Sequence, residues 1–528
     1  MMSKNSAAPI SRADNFSKFN TGLALVAAIT SVAGGAVLCG VGSLNTAFAI
    51  GAAAGTLLLA LVIRPSMEAA LLFWFVTAPL AESIVHLPSD DPVLTYDRAF
   101  FGFIGLIALS HRVKARLATS TANVEAPRRA DGEFGVPEAP RSRERKLSRL
   151  ALHFESSWTL LCLIALFSAC FRSAGLGYGL RVAVDSFCLP LIAFYAARSC
   201  VNLRGRGSFL LAGAAALAFF LFATGAYELI ARVDLLPFEG SNLFRESEIR
   251  VNGPFNSDSS YAVISLQLAL FLRAAPRILG VRLDRSARLV WIGALGSAVA
   301  ASLLPLYRTV GVALVVSWAL VEWQLAKDAG RLASRAGLFR LPISRRRLAA
   351  VTLLFVAVAG AALLYESGAE GRIVSARNIY SRLATWSAAA RISLDQPVFG
   401  VGLTNYTEQF NRKYSRADQW EGAIGNARPA AYPHSNALWI AAELGLPAFA
   451  IYVFANVALF WMGVVMLRAA KGRQRVMASC FLGLLAAYSI PGLTLTSGAY
   501  SDLNLYFFLF LAILANPRHL SRESGERL

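Results

Sequence analysis

Long apolar runs recur along the chain, separated by short polar and basic stretches. They lie near residues 21–41, 46–63, 67–85, 98–110, 157–171, 182–199, 208–230, 258–273, 289–306, 309–326, 349–365, 446–467, 476–492 and 503–515. Most approach the roughly 20 residues that a helix needs to cross a hydrocarbon core about 30 Å thick. The runs are continuous rather than alternating. Inside lipid only helices or closed barrels satisfy the backbone, so the pattern predicts helices. The expected fold class is all-α: a polytopic transmembrane helical bundle of about 12–14 spans, with a helical loop subdomain on one side. The count is loosened by the short runs at 98–110 and 157–171.

Composition agrees with this reading. Of 528 residues, 56% are hydrophobic and 16% charged, where a soluble domain carries about a quarter. The net charge of +19 would suit nucleic acid, but the Lys and Arg fall in short clusters between apolar runs. That placement is a topology signal, and it argues against a nucleic-acid partner. With the N-terminus inside, the stretches 111–156, 200–207, 274–288, 327–348 and 468–475 all fall on the cytoplasmic side, and every short basic cluster falls with them. The other side receives 86–97, 231–257, 366–445 and 493–502. Lys4, Arg12 and Lys18 precede the first run, which reads as a retained span rather than a cleaved signal. Both termini are thus expected to be cytoplasmic. The six cysteines, Cys39, Cys162, Cys170, Cys188, Cys200 and Cys480, sit in or beside apolar runs with neither metal-ligand nor disulfide spacing.

These patterns divide the chain into N-terminal spans (1–110), a disordered basic linker (111–156), central spans (157–365), a large outside loop (366–445) and C-terminal spans (446–528). No internal repeat is visible, whereas many transporters are built from repeats. The loop 366–445 carries Arg372, Arg377, Arg382, Arg391, Arg412, Lys413, Arg416 and Arg428 against seven acidic residues. It is nearly neutral, so only local clustering could make it hold an anion; such a cluster would grip phosphate oxygens through guanidinium forks. A long loop translocates regardless of its charge.

Within this loop, SRLATWSAAARISLDQPVFGVGLTNYTEQF followed by HSNALWIAAELGLPAFAIYVF resembles the O-antigen ligase and polymerase superfamily of bacterial membrane proteins. The pattern is an Arg and a Trp on a helix, a Pro-x-x-Gly-x-Gly turn, then a His and a helix ending at Glu-x-Gly. Here these are Arg382, Trp386, Pro397, Gly400, Gly402, His434, Glu443 and Gly445. RVNGPFNSDSSYAV and YRTVGVAL, around Arg250 and Arg308, look like further family features. Tyr307-Arg308-Thr309 departs from the family's usual Ser-Arg-Gly.

The resemblance implies a glycosyltransferase whose donor is a glycan on undecaprenyl diphosphate at the periplasmic face of the inner membrane. The acceptor is a hydroxyl of the lipid A core in a ligase, or of another lipid-linked glycan in an O-antigen or exopolysaccharide polymerase. It implies no cofactor and no metal, inverting displacement, and polysaccharide assembly proteins and membrane lipids as partners. Arg308 and Arg382 are the expected clamps on the departing diphosphate. His434 is the expected base for the acceptor hydroxyl. Arg250, Trp386, Arg391 and Glu443 are the candidate substrate-binding residues. Gly400 and Gly402 suit a tight turn. Asp185 is an intramembrane carboxylate expected to pair with Arg181 or Arg172. The competing class is a transporter, such as a flippase for lipid-linked glycans, which predicts repeats and mid-membrane ionisable residues instead.

Overall fold

The computed structural model describes residues 67–82, 86–87, 94–102, 104–105, 139–201, 207–233, 244–245, 248–249, 251–255, 257–335, 376–414, 432–470 and 472–516. Two compact units divide the chain, residues 1–65 with 80–96, and residues 66–79 with 97–528. Helix α1 (Met67–Glu82) runs into the first unit. That unit also holds the short antiparallel pair β1 (His86–Leu87) and β2 (Leu94–Thr95).

Among its described residues the second unit is helical apart from a short hairpin, β3 (Phe244–Arg245) with β4 (Glu248–Ile249). Its helices are α2 (Ala139–Phe171), α3 (Leu176–Ala183), α4 (Leu189–Cys200), α5 (Gly207–Ala231), α6 (Asp258–Leu279), α7 (Arg285–Leu303) and α8 (Arg308–Arg335). There follow α9 (Ala376–Asp395), the single turn α10 (Tyr406–Gln409), α11 (Asn436–Leu444), α12 (Leu446–Ala469), α13 (Gly472–Gly492) and α14 (Ser501–Leu514). A π-helical turn, Val184–Cys188, joins α3 to α4 without a break.

Among the described residues, seven helical segments are long and apolar enough to cross a membrane. They are Lys146–Phe171, Leu176–Ser199, Gly207–Ala231, Asp258–Leu279, Arg285–Leu303, Leu446–Arg468 and Gly472–Gly492. The molecule is thus a helical, multi-pass membrane bundle. Two expected runs, at 67–85 and 503–515, are shorter apolar helices, Ala70–Pro79 and Ser501–Leu514. The runs at 21–41, 46–63 and 349–365 lie outside the described residues. The run at 309–326 lies within α8; the Glu322 carboxylate inside it takes the Arg273 guanidinium of α6, with Nη2 to Oε2 at 3.0 Å.

Helix α6 is the axis of the bundle. It is apolar nearly all round, as a helix enclosed by others must be, and packs against α5, α7, α8, α13 and α14. Its start is fixed by Ser257, whose side chain accepts from the Ser259 N–H, and its end by Gly280 in the left-handed conformation.

Two expectations change. Residues 139–156 are not part of a disordered linker but the first turns of α2. Leu147, Ala151 and Phe154 recur at i, i+4, i+7 and are all buried, while Glu155 holds Arg198 of α4 at 2.6 Å. The charges between those positions hid an amphipathic helix. The rest of the expected linker, 111–138, lies outside the described residues. Asp185 pairs chiefly with Arg98, Nε to Oδ1 at 2.8 Å and Nη2 to Oδ2 at 2.6 Å, and more loosely with Arg181 at 3.9 Å. Arg172 is engaged elsewhere.

The Arg98–Asp185 fork is mostly buried, so removing one partner strands the other charge. Asp185→Ala is expected to lower stability by about 3 kcal/mol, seen as a lower Tm of the detergent-solubilised protein. The double replacement Arg98→Met with Asp185→Leu should recover most of that loss. Equal melting of wild type and Asp185→Ala would show that the pair contributes nothing.

Candidate functional site

Helix α9 carries a small-residue face, Ala384, Ala388, Ala389 and Ile392, which is buried. Arg382 and Trp386, one turn apart, accompany that face into the structure. The turn after α9 then locks onto the end of α11. Val401 N–H donates to Ala442 O at 2.9 Å, Gly402 N–H to Glu443 O at 3.0 Å, and Leu446 N–H to Pro397 O at 2.7 Å. Gly400 and Gly445 both take positive φ, +62° and +90°. A Cβ on Gly400 would lie 2.5 Å from the Glu443 carbonyl carbon, and one on Gly445 would lie 2.4 Å from Val398 O. The Pro-x-x-Gly-x-Gly and Glu-x-Gly stretches are therefore two halves of one joint.

Glu443 closes that joint. Its buried carboxylate accepts from Thr404 N–H at 2.9 Å, Tyr406 N–H at 3.1 Å and the Trp439 indole at 2.7 Å. With three donors taken up, it holds the turn in place. Arg172, at the end of α2, braces the other side by donating to Gly400 O at 2.9 Å and Gln396 Oε1 at 3.2 Å.

At Gly445 the chain reverses, so α11 runs back along α12 as a short hairpin. The start of α11 therefore lies inside the bundle, not over it. Asn436 donates to Ser497 Oγ at 2.7 Å, accepts from Gly498 N–H at 2.8 Å, and hydrogen-bonds the Tyr452 hydroxyl on α12. Just before it, His434 has φ +52°, a conformation that costs a non-glycine residue about 1–3 kcal/mol. Its carbonyl accepts from the Trp386 indole at 3.4 Å.

Arg382 reaches two further connections. It donates to Thr494 O between α13 and α14, and hydrogen-bonds Tyr307 between α7 and α8. Tyr307 precedes Arg308, the first residue of α8, and faces the charge of Asp258 at the start of α6. Tyr500, before α14, hydrogen-bonds Ser257 and Ser259 at the same end of α6. Four helix N-termini, those of α6, α8, α11 and α14, thus meet at one end of the bundle around Arg382 and His434. Each turns the positive end of its dipole towards that end.

The fold therefore brings Arg382, Trp386 and His434 together and sets Arg308 next to Tyr307, which touches Arg382. Arg308 itself is exposed. Arg391 is exposed on α9, half a turn out of phase with Arg382, and does not join them. Glu443 sits behind the site as its support. Arg250 lies outside the described residues; the turn beside it is held by Glu228, which accepts from Asn252 N–H at 2.9 Å and Gly253 N–H at 2.8 Å.

Tyr307, Asn436, Tyr500 and the 494–498 connection complete the cluster and were not singled out from sequence. A signal existed for the connection: its polar stretch between two apolar runs falls on the same side as 366–445. No family model matches the chain, and no curated protein matches it. The resemblance to the O-antigen ligases thus rests on the quoted residues alone.

Burial pushes the Glu443 carboxyl up from its ordinary 4.5 to about 7, against the pull of its three donors. The folded state then holds this proton more tightly than the unfolded chain. Its contribution to stability is full below about pH 4.5 and is lost as pH rises through about 7. Glu443→Gln should melt lower throughout, because an amide nitrogen must face an N–H, and should lack that slope. Parallel wild-type and variant Tm profiles across this window would refute the assignment.

Proposed function

We propose that this protein is an O-antigen ligase-like glycosyltransferase. It moves a glycan from undecaprenyl diphosphate to an acceptor hydroxyl at the periplasmic face of a bacterial inner membrane. The observation that supports this reading is the meeting of four helix N-termini with Arg382 and His434 at one end of an apolar bundle. That end suits a dianionic headgroup on a lipid tail: the helix dipoles and the Arg382 guanidinium favour negative charge, while the bundle offers the tail an apolar flank.

In this reading the acceptor oxygen attacks the anomeric carbon while the bond from that carbon to the diphosphate oxygen breaks. The imidazole of His434 takes the acceptor's proton as the new bond forms. The departing diphosphate gathers negative charge, which Arg382 and Arg308 stabilise together with the helix ends. Arg382 spends only part of its five-donor fork on Thr494 and Tyr307, which holds the guanidinium in place and leaves donors over for the phosphate. Tyr307 thereby gives the departure from Ser-Arg-Gly a role, in positioning Arg382. Trp386 fixes the backbone of His434 and offers a flat face to a sugar ring.

The test is the glycan profile of deletion cells complemented with wild type, His434→Ala or Arg382→Ala. Both variants should match the empty deletion, with product reduced about 100-fold or more. Full-length lipid-linked chains accumulating over a bare core identify a ligase. Single unpolymerised repeats identify a polymerase. Donor trapped on the cytoplasmic face would favour a flippase, and unchanged glycans in the deletion would end the enzyme reading altogether.

A further inference from the structure

The last turn of α9 and the turn that follows it are not dressed for water. Leu394, Val398 and Phe399 are exposed, at 73%, 56% and 51% of their surfaces. Beside them at the end of α2 stand Phe167 and Phe171, also exposed. The Phe399 ring lies 6.2 Å from that of Phe167, which lies 5.0 Å from that of Phe171. The five side chains make one apolar rim, far more concentrated than the scattered apolar residues of an ordinary aqueous surface.

Two observations say what covers it. Phe167 and Phe171 are in the last turns of Lys146–Phe171, and the turn is bonded through Pro397 O to Leu446, the first residue of Leu446–Arg468. Both segments are long and apolar enough to cross a membrane, so the rim continues their lipid-facing surfaces. Its other border is polar: Asp395 holds Lys413 at 3.2 Å and accepts from the Tyr414 hydroxyl at 2.5 Å, while Glu408 holds Arg412 at 2.7 Å. Between the two borders Arg172 keeps its guanidinium 5.6 Å from the Phe399 ring while bonding Gly400 O. The contact adds a cation–π attraction to the bonds by which Arg172 braces the turn.

We propose that the rim formed by Leu394, Val398, Phe399, Phe167 and Phe171 is a lipid-binding surface, immersed in the bilayer leaflet at the site's end of the bundle. The joint carrying Glu443 is then seated on the membrane rather than held above it, and the site opens at the level of lipid headgroups. This inference rests on the membrane bundle and not on the glycosyltransferase reading, so either can fail without the other.

The test uses the full chain in phosphatidylethanolamine–phosphatidylglycerol vesicles, with its native cysteines replaced by alanine. An environment-sensitive fluorophore is attached at Phe399→Cys, Val398→Cys, Asp395→Cys or Arg412→Cys. Labels at 398 and 399 are expected to be quenched severalfold more by a doxyl-labelled lipid than by aqueous iodide, and those at 395 and 412 the reverse. Iodide quenching at 398 and 399 without lipid quenching would overturn the proposal. So would shielding from both quenchers, which would mean that a second copy of the chain covers the rim. Should the cysteine-free chain not fold, wild type in the same vesicles can be labelled with a photoactivatable lipid. Adducts on the peptide containing residues 394–399 would support the proposal, and their absence while α12 is labelled would overturn it.

Discussion

A buried carboxylate organises the candidate site without being placed to touch a substrate. Glu443 accepts from two backbone N–H groups of one segment and from an indole of its own helix. Burying an ionisable group is costly unless it is fully hydrogen-bonded, and here the bonds come from the turn that needs holding. Through them the segment after α9 is fastened to the end of α11, and the glycines let the two backbones approach to bonding distance. The direction of α11 follows from the reversal at Gly445, and the depth of His434 follows from that direction.

The polar end of the bundle does not owe its character to a dense cluster of bases. The loop 366–445 is close to neutral, and Arg391, Arg412 and Lys413 lie on its exposed surfaces. What is concentrated is backbone polarity. Four helices start within reach of the same few side chains, and the positive ends of their dipoles add up there. Arg382 adds a fixed charge, tied to two inter-helix connections so that its side chain keeps little rotamer freedom.

Much of the fold was legible because lipid imposes so simple a pattern. An apolar run of sufficient length has few alternatives to a helix, so α5, α6, α12 and α13 lie close to where their runs predict. The first turns of α2 were hidden because Arg, Lys and Glu crowd that stretch of sequence, and only the spacing of Leu147, Ala151 and Phe154 marks its buried face. Within the site, the pairing of Arg382 and Trp386 on one helix could be read from their spacing, and so could the need for glycine at 400 and 402. The role of Glu443 could not, since the two backbone donors that it holds, at Thr404 and Tyr406, lie far away in sequence. Arg391 looked equivalent to Arg382 in a list of basic residues, and only helical phase separates them. Tyr307 carries no such mark, because its partner Arg382 lies far along the chain.

The cluster around Arg382 also has a history in time. Its parts come from near residues 257, 307, 382, 434 and 494–500, so they leave the ribosome in that order and are handed to the membrane one hairpin after another. Until α13 and α14 are inserted, Arg382 lacks Thr494 and Asn436 lacks Ser497 and Gly498. The nascent chain must therefore carry α9 and α11 with their polar groups still in water or provisionally paired. Assembly of this end is a late, all-at-once event in biogenesis, and a stalled or truncated chain would be a bundle of spans with no site.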